Sequence, residues 1–311
     1  MLIAARFVQG FAGSAGLVLG RATVADRVHG SAAARTLSLL ATISGLAPVI
    51  APLAGGVAVG PIGWRGIFWV LSALGALLFI GSLLVLPESL PPARRVSDGS
   101  AEMARIAARL LRDRGFTLNM ATFAFGFGVM MAYVSASPFV VQNVYGLSAR
   151  EYSFDFALNA SMLAIALSIN SALVERVGVH RMRGLGQLGL SVTVGLFAAI
   201  TLSGHRPVPV PVLLVLLALT VGFLAINGNN STALATRRAV WAAGTGSALI
   251  GGVQFAFGSL VTPMVGLGGA HTAAPLASAM LVCTALVVLM GRLARRRPDV
   301  VGETARSPRR R

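Results

Sequence analysis

Nine long apolar stretches run through this chain, and almost all of its arginines lie on alternate connections between them. About 20 apolar residues in a helix cross the roughly 30 Å hydrocarbon core of a bilayer. Backbone polar groups inside a bilayer must bond within the protein, so only helices and closed barrels cross it, and these stretches are too long for barrel strands. The sequence therefore predicts an all-α membrane protein with about nine transmembrane helices near residues 2–24, 37–60, 66–86, 116–141, 152–174, 184–203, 210–233, 246–267 and 273–293.

The arginine distribution predicts the orientation in the membrane. All 26 basic residues are arginines, and 22 of them fall in the first, third, fifth and seventh connections or in the tail. Because positive charge accumulates on cytoplasmic loops, this bias predicts a cytoplasmic C-terminus and an external N-terminus. The formal charge of +16 is therefore expected to contact anionic membrane lipid rather than nucleic acid.

A charged segment divides the predicted helices into three and six. The expected organisation is a partial N-terminal half at 1–86, a cytoplasmic connecting loop at 87–115, a six-helix C-terminal half at 116–293 and an arginine-rich cytoplasmic tail at 294–311. Many transporters are built from inverted repeats of three helices, two in each half. On that scheme the N-terminal half lacks its first three helices. Within the loop, residues 100–114 are predicted to form an amphipathic helix at the inner membrane surface.

Arg6 lies within the first predicted span. A charged residue at the centre of a membrane helix costs about 2.5–3.5 kcal/mol on insertion scales, so it is expected to face a water-filled cavity or an acidic partner. Gln9, Gly10 and Gly13 continue a polar or small face at helical spacing, which allows another helix to approach closely. Alternatively, Arg6 lies only about 7.5 Å along a helix from the first residue and extends to the outer interface.

The second span contains two prolines and a pair of glycines. Proline removes a backbone donor and bends a helix, and adjacent glycines allow close packing. This composition suits a helix that bends during gating. A tightly packed, kinked helix with no direct part in transport is an equally good interpretation. The residues concerned are Pro48, Pro52, Gly55 and Gly56.

Several later spans carry polar or aromatic groups that could line a substrate cavity. Amides in membrane helices also bond between helices, and that structural role is favoured for any one of them. The clustering of Asn227, Asn229 and Asn230 strengthens the cavity interpretation in that region. The substrate-cavity candidates are Gln9, Tyr133, Pro138, Gln142, Asn159, Asn227, Asn230 and Gln254.

Asp155 lies near the start of the fifth predicted span. If it lies within the membrane, it is a candidate proton carrier. A position at the membrane interface, about one turn from the helix end, is the favoured alternative.

Other kinds of chemistry find no support in the sequence. It contains no phosphate-binding P-loop, which leaves an ATP-driven pump unsupported. No cluster of His, Cys and carboxylate residues has the spacing of a metal site, and no G-x-S-x-G turn presents a nucleophile. The chain is therefore not expected to be an enzyme or to carry a cofactor or a metal.

Taken together, these residues resemble the drug:proton antiporters of the major facilitator superfamily, in particular the Bcr/CflA-type drug-resistance subfamily. The stretch from Arg6 to Gly10 is similar to the family's fourth-helix motif, whose arginine is implicated in proton coupling. The stretch APLAGG at 51–56 is similar to the fifth-helix antiporter motif, with Ala51 in place of the usual glycine. Further similar stretches lie at 63–68, 86–90, 137–142, 145–148, 156–160 and 243–248.

The resemblance implies a major facilitator-type bundle that contains helices four to twelve of a twelve-helix fold. It implies a monomeric inner-membrane transporter that uses protons to move small amphipathic or apolar drug-like compounds out of the cell by alternating access. Arg6 and Asp155 are then the proton-coupling candidates, and the prolines and glycines of the second span form the gating motif. Two alternatives stay open, namely a truncated, transport-incompetent remnant and a structural or regulatory membrane partner.

Overall fold

The computed structural model describes residues 4–5, 8–10, 12–13, 23, 30–85, 99–203, 209–266 and 272–295. Within these ranges the regular structure is helical, and seven helices are long and apolar enough to cross a membrane. This result confirms the predicted all-α membrane class. The seven correspond to the third to ninth predicted spans. The first predicted span lies mostly outside the described residues, and the second lies within a helix most of whose side chains there are not described.

The described part of the chain contains eight α-helices. The chain also has a short π-helical turn at Val140–Val144 and a 3₁₀ turn at Val240–Ala242. The helices are α1 (Gly30–Val85), α2 (Gly99–Arg112), α3 (Arg114–Phe139), α4 (Ala149–Val177), α5 (Val179–Leu202), α6 (Val210–Arg238), α7 (Ala243–Gly266) and α8 (Ala274–Arg295).

The chain divides into two compact units, Met1–Ser97 and Asp98–Arg311. In the first unit, α1 has 56 residues, which corresponds to about 84 Å and exceeds a single membrane crossing. Its backbone leaves the helical region at Gly63, with φ 64° and ψ 173°, a conformation that glycine adopts without a Cβ clash. The break falls between the second and third predicted spans. The element α1 is therefore two helical segments, as the sequence predicts.

In the second unit, α3 and α6 are the central helices. Helix α3 packs against α6, α7 and α8, whereas α6 packs against α3, α4 and α5. If α3, α4 and α5 are matched in order with α6, α7 and α8, each main helix–helix contact of one triplet has a counterpart in the other. Such a correspondence is what two inverted three-helix repeats produce, and it agrees with the repeat organisation inferred from the sequence.

The amphipathic helix α2 packs on one end of this unit. Its Leu110 is buried and its Ile106 is half-buried, and both belong to an apolar cluster with Phe116 of α3 and Ile250 of α7. The predicted amphipathic helix is thus present, with its apolar stripe packed on α3 and α7, and its position at the membrane surface stays a prediction.

Local sequence signals explain where α3 and α4 begin. Asp113 caps α3 because its Oδ1 accepts hydrogen bonds from the backbone N–H groups of Gly115 (2.7 Å) and Phe116 (3.2 Å). Ser148 and Glu151 form a reciprocal capping box at the start of α4. These caps satisfy backbone donors that a helix leaves without partners in its first turn.

Candidate functional site

A group of polar side chains lies between the last turns of α3 and the first turns of α4. We name it the Asp155 cluster, and it comprises Tyr133, Ser137, Tyr152, Asp155 and Asn159. The hydroxyl groups of Ser137 and Tyr152 are 3.1 Å apart, and the Tyr133 ring stacks on Phe156, the residue after Asp155. The cluster therefore brings together three sequence-predicted site residues, namely Tyr133, Asp155 and Asn159.

The carboxylate of Asp155 is enclosed by protein, with only 4% of the residue exposed. Its Oδ1 accepts a hydrogen bond from Asn159 Nδ2 at 3.0 Å, and the same amide group donates to the Asp155 carbonyl oxygen at 2.8 Å. Its Oδ2 has no hydrogen-bond donor among the residues that the structure describes. Asp155 is thus enclosed by protein about two turns from the start of α4, and its depth in the membrane stays a prediction.

An aromatic pair adjoins the carboxylate. The rings of Tyr133 and Phe156 stack with centroids 6.0 Å apart and an interplanar angle of 18°. Because Phe156 directly follows Asp155 on α4, this stack joins α3 to α4 beside the buried acid.

An apolar groove of about 380 Å³ lies between α3, α4 and α6. This volume falls in the range of about 300–1,000 Å³ that is typical of ligand pockets. Only Asn229 and Thr232 bring polar side chains to the lining. The lining residues are Phe123, Gly126, Phe127, Met130, Leu163, Leu167, Val221, Leu224, Ala225, Gly228, Asn229 and Thr232.

Two glycines keep the helices close at this groove. A Cβ at Gly126 of α3 would lie 3.3 Å from Asn227 Nδ2 and 3.4 Å from Leu224, both on α6. A Cβ at Gly228 of α6 would lie 3.4 Å from the ring of Phe123. Small residues at these positions therefore permit α3 and α6 to approach each other, as is common between membrane helices.

The Asp155 cluster continues one wall of this groove. Tyr133 follows the lining residue Met130 by three positions on α3, and Asn159 precedes the lining residue Leu163 by four positions on α4. Residues three or four positions apart lie on the same helix face, one turn from each other. The apolar groove and the buried carboxylate are thus neighbours along the same pair of helices.

The amides predicted to line a cavity lie mainly between helices. Asn230 of α6 donates a hydrogen bond to Asn170 of α4, and Asn227 is fully enclosed beside Gly126. The groove instead presents Asn229, the exposed member of the same group. Pro138, Gln142 and Gln254 are half-buried. Within the described residues, the groove lining includes none of the eight predicted cavity candidates, and their roles stay predictions.

The predicted residues of the first unit are described only in part. Arg6 lies outside the described residues, and Gln9 is helical. The backbone is helical through Pro48 and Pro52, whose side chains are not described, and through Gly55 and Gly56, which are half-buried. The proton-coupling and gating roles assigned to these positions stay predictions.

A buried arginine, which the sequence did not single out, links three helices. Arg183 of α5 is 2% exposed. Its guanidinium donates a hydrogen bond to the side chain of Asn119 on α3 and, at 3.2 Å, to the carbonyl oxygen of Gly291 on α8. Asn119 in turn donates to the Gly115 carbonyl oxygen at 2.8 Å. This network holds the arginine-rich ends of α3, α5 and α8 together.

The spacing of buried residues along α5 indicates that Arg183 is buried too. The predicted span began at Gly184, but α5 begins at Val179, so Arg183 lies inside the helix. It is spaced three and seven positions before the buried residues Gly186 and Leu190. Extending that buried stripe backward by one turn would have placed Arg183 among the helices rather than in a loop.

Comparisons with known proteins agree with this geometry. The sequence profile of the Major Facilitator Superfamily matches residues 1–263. The chain is 34% identical over 287 residues to the "Uncharacterized MFS-type transporter YdgK" of Bacillus subtilis (strain 168), an alignment that covers 90% of this chain and 69% of that protein. It is 30% identical over 289 residues to the "Bicyclomycin resistance protein homolog" of Haemophilus influenzae, with 92% of this chain and 71% of the relative covered.

A third relative carries a multidrug-resistance name. The "Multidrug resistance protein MdtL" of Salmonella heidelberg is 29% identical over 205 residues, which cover 65% of this chain and 50% of that protein. The profile match covers most of the chain, and the two longer alignments reach at least 30% identity over about nine tenths of it. The chain therefore belongs to the Major Facilitator Superfamily, a family of membrane transporters rather than enzymes, and its relatives group it with the Bcr/CflA-type drug-resistance transporters.

Proposed function

We propose that this protein exports small amphipathic or apolar compounds across the cell inner membrane in exchange for protons. The observation that carries the proposal is the apolar groove of about 380 Å³, which begins at Leu163, about two helical turns along α4 from the buried carboxylate of Asp155. The names of the relatives, which refer to bicyclomycin and multidrug resistance, support a drug-like substrate. In this proposal the C-terminus is cytoplasmic and the transporter acts as a monomer.

The lining of the groove suits a substrate recognised mainly by shape and apolar contact. Phe123, Phe127 and Met130 offer aromatic and polarisable surface, and Asn229 and Thr232 offer a few hydrogen bonds. A methionine side chain adapts to differently shaped partners, which suits a site that accepts several compounds. The substrate class that follows is an apolar or amphipathic molecule with a small number of polar groups.

Asp155 supplies a group whose protonation can couple to movement. An ionised carboxylate is costly to bury unless donors surround it, and Oδ2 has no donor in the described part of the chain. Loss or gain of a proton at Asp155 therefore changes the free energy of the side-chain contacts between α3 and α4, which include the Tyr133–Phe156 stack and the Ser137–Tyr152 pair. Arg6 is the second coupling candidate, and its role rests on the motif resemblance.

Alternating access follows from the repeat architecture. Transporters built from inverted repeats expose a central site to each side of the membrane in turn, through rocking of one bundle against another. The matching contact pattern of the two three-helix triplets in the second unit supports this mechanism. The helical segment with Pro48, Pro52, Gly55 and Gly56 is the proposed bending element.

The proton arm of the proposal is tested with Asp155→Asn. In everted vesicles with an energised proton gradient, the unaltered chain should accumulate an amphipathic fluorescent dye, and a protonophore should abolish the accumulation. The Asp155→Asn variant should still bind the dye, but the addition of dye should cause no release of protons from the protein. Glu175→Gln is the matched control, because Glu175 is an exposed carboxylate on the same helix. Dye-driven proton release by Asp155→Asn at the unaltered rate would remove Asp155 from the coupling mechanism.

The groove arm uses the same vesicles with Gly228→Leu. A larger side chain at Gly228 projects beside Phe123 and narrows the groove, so the KM for dye should rise while the protein still inserts. Gly195→Leu is the control, because a Cβ at Gly195 meets no other atom within 4 Å. Equal kinetics for the two variants would exclude this groove as the substrate site. Absence of any transport by the inserted, unaltered chain would favour the non-transporting alternatives.

A further inference from the structure

The surface helix α2 and the residue that follows it make two contacts at the junction of α6 and α7. Asp113, which follows α2 directly, pairs with Arg238 at the end of α6, with 3.1 Å between Arg238 NH1 and Asp113 Oδ1. One turn earlier, the Arg109 guanidinium lies 4.8 Å from the centre of the Trp241 ring. Together with the buried Leu110, these contacts hold the basic face of α2 in a defined position beside the helix ends.

The positive charge at this place exceeds the negative charge. Six arginines lie on α2, at the start of α3 or at the end of α6, and the acidic residues among these segments are Glu102 and Asp113. Glu102 pairs with Arg105 at 2.7 Å and Asp113 pairs with Arg238, so each acid neutralises a different arginine. Four arginines have no carboxylate partner among the described residues, namely Arg109, Arg112, Arg114 and Arg237.

Two exposed apolar side chains lie next to these arginines. Val240 is 73% exposed and Trp241 is 52% exposed, and both lie in the short turn between two membrane helices. Tryptophan is enriched at the headgroup level of bilayers, where its ring contacts both apolar chains and polar groups. The arrangement thus places the Arg109 guanidinium directly beside a side chain suited to the membrane interface, and Arg112 and Arg237 lie, respectively, three positions from Arg109 and four positions from Trp241 along the chain.

We propose that Arg109, Arg112 and Arg237, together with Trp241, form a binding site for the phosphate headgroup of an anionic phospholipid in the cytoplasmic leaflet. The guanidinium groups bind phosphate oxygens, and Trp241 contacts the glycerol and upper acyl region. Guanidinium groups match phosphate with paired N–H donors, and stacking on an aromatic ring limits the freedom of Arg109 before it binds. A lipid bound by these residues would contact both α2 and the α6–α7 turn and would stabilise their contact.

The test reads lipid proximity through Trp241. Trp64→Phe and Trp69→Phe leave Trp241 as the remaining tryptophan. The protein is placed in phosphatidylcholine nanodiscs that contain a small fraction of phosphatidylglycerol with brominated acyl chains, which quench a neighbouring indole. Brominated phosphatidylcholine at the same fraction gives the reference. Phosphatidylglycerol should quench more strongly, and the difference should decrease when the salt concentration is raised.

Charge variants show which residues carry the preference. Arg109→Gln and Arg112→Gln should each lower the preference for phosphatidylglycerol by up to about five-fold, whereas the corresponding Lys variants, which keep the charge but lose the paired donors, should lower it less. Arg150→Gln is the matched control, because the Arg150 guanidinium also lies over an aromatic ring, that of Phe154 at 5.9 Å, on the other side of the membrane helices. It should leave the preference unchanged.

Three results would overturn the proposal. One is equal quenching of Trp241 by the two brominated lipids. Another is an unchanged preference in the Arg109→Gln, Arg112→Gln double variant. The third concerns free inorganic phosphate. If it abolishes the preference for phosphatidylglycerol and chloride at the same ionic strength does not, the site binds phosphate from solution.

Discussion

At the residue scale, two classes of buried polar group matter, those that bond between helices and those that keep an acceptor without a donor. Arg183 belongs to the first class, because its guanidinium binds Asn119 and the Gly291 carbonyl oxygen across three helices. Asp155 belongs to the second, because its Oδ2 has no donor in the described residues. A buried group that bonds several helices stabilises one arrangement, whereas a carboxylate oxygen without a donor can respond to a proton or a substrate.

The structural role of Arg183 is testable by removing the guanidinium. Arg183→Leu leaves Asn119 Oδ1 and the Gly291 carbonyl oxygen without their donor, which should lower the free energy of unfolding by about 3 kcal/mol. The neighbouring Arg181 is exposed, so Arg181→Leu is the matched control and should change stability little. Thermal unfolding in mild detergent measures both. Equal melting temperatures for the two variants would show that the Arg183 network contributes little to stability.

The residues of the site differ in how far the sequence predicted them. Asp155 is a candidate because a carboxylate in an apolar stretch needs an explanation; the structure shows that it is buried, and its part in proton coupling stays a prediction. Asn227 and Asn230 were selected by the same logic, yet helix periodicity alone does not distinguish a cavity face from a helix-packing face, and both lie between helices. Arg183 was missed because a charged residue beside a loop normally ends a predicted span.

At the scale of the element, the helices were predictable because the bilayer requires about 20 apolar residues for each crossing. The predicted and observed helices agree in number and place over the second unit, and the observed ones extend a few residues further at most ends. These extensions, such as the first turns of α5 and the last turn of α6, carry arginines. A hydropathy criterion ends a span at such residues, whereas the backbone hydrogen bonds continue through them.

The junction of α2 and α3 gives a prediction at this scale, because Asp113 has two roles. It caps α3 through two backbone N–H groups and pairs with Arg238. Asp113→Ala removes both roles and should lower stability by about 1–2 kcal/mol, whereas Asp113→Asn keeps the cap and should cost less than about 1 kcal/mol. Chemical or thermal unfolding in detergent measures the difference. If the two variants lose the same stability, the ion pair rather than the cap holds this junction.

At the scale of the whole molecule, the arginines are concentrated at those helix ends that lie on one side of the membrane. Consecutive helices of the second unit run in opposite directions, so the start of α3, the end of α4, the end of α6 and the end of α8 lie on one side. The described residues at those ends include Arg114, Arg176, Arg237 and Arg295, while Arg150 lies at the opposite end. This asymmetry predicts that the arginine-rich side is cytoplasmic.

Single cysteines test that orientation. Cys283 is buried in α8, so Cys283→Ser supplies a background without a native thiol. In intact cells, a membrane-impermeant maleimide should label R150C and S203C, because α4 begins and α5 ends on the side that the arginine asymmetry predicts to be external. It should label R112C and R237C only in everted vesicles. All four positions are exposed, so accessibility within the protein does not explain a difference between them. Labelling of R112C and R237C in intact cells, with R150C and S203C protected, would reverse the orientation and with it the direction of the proposed export.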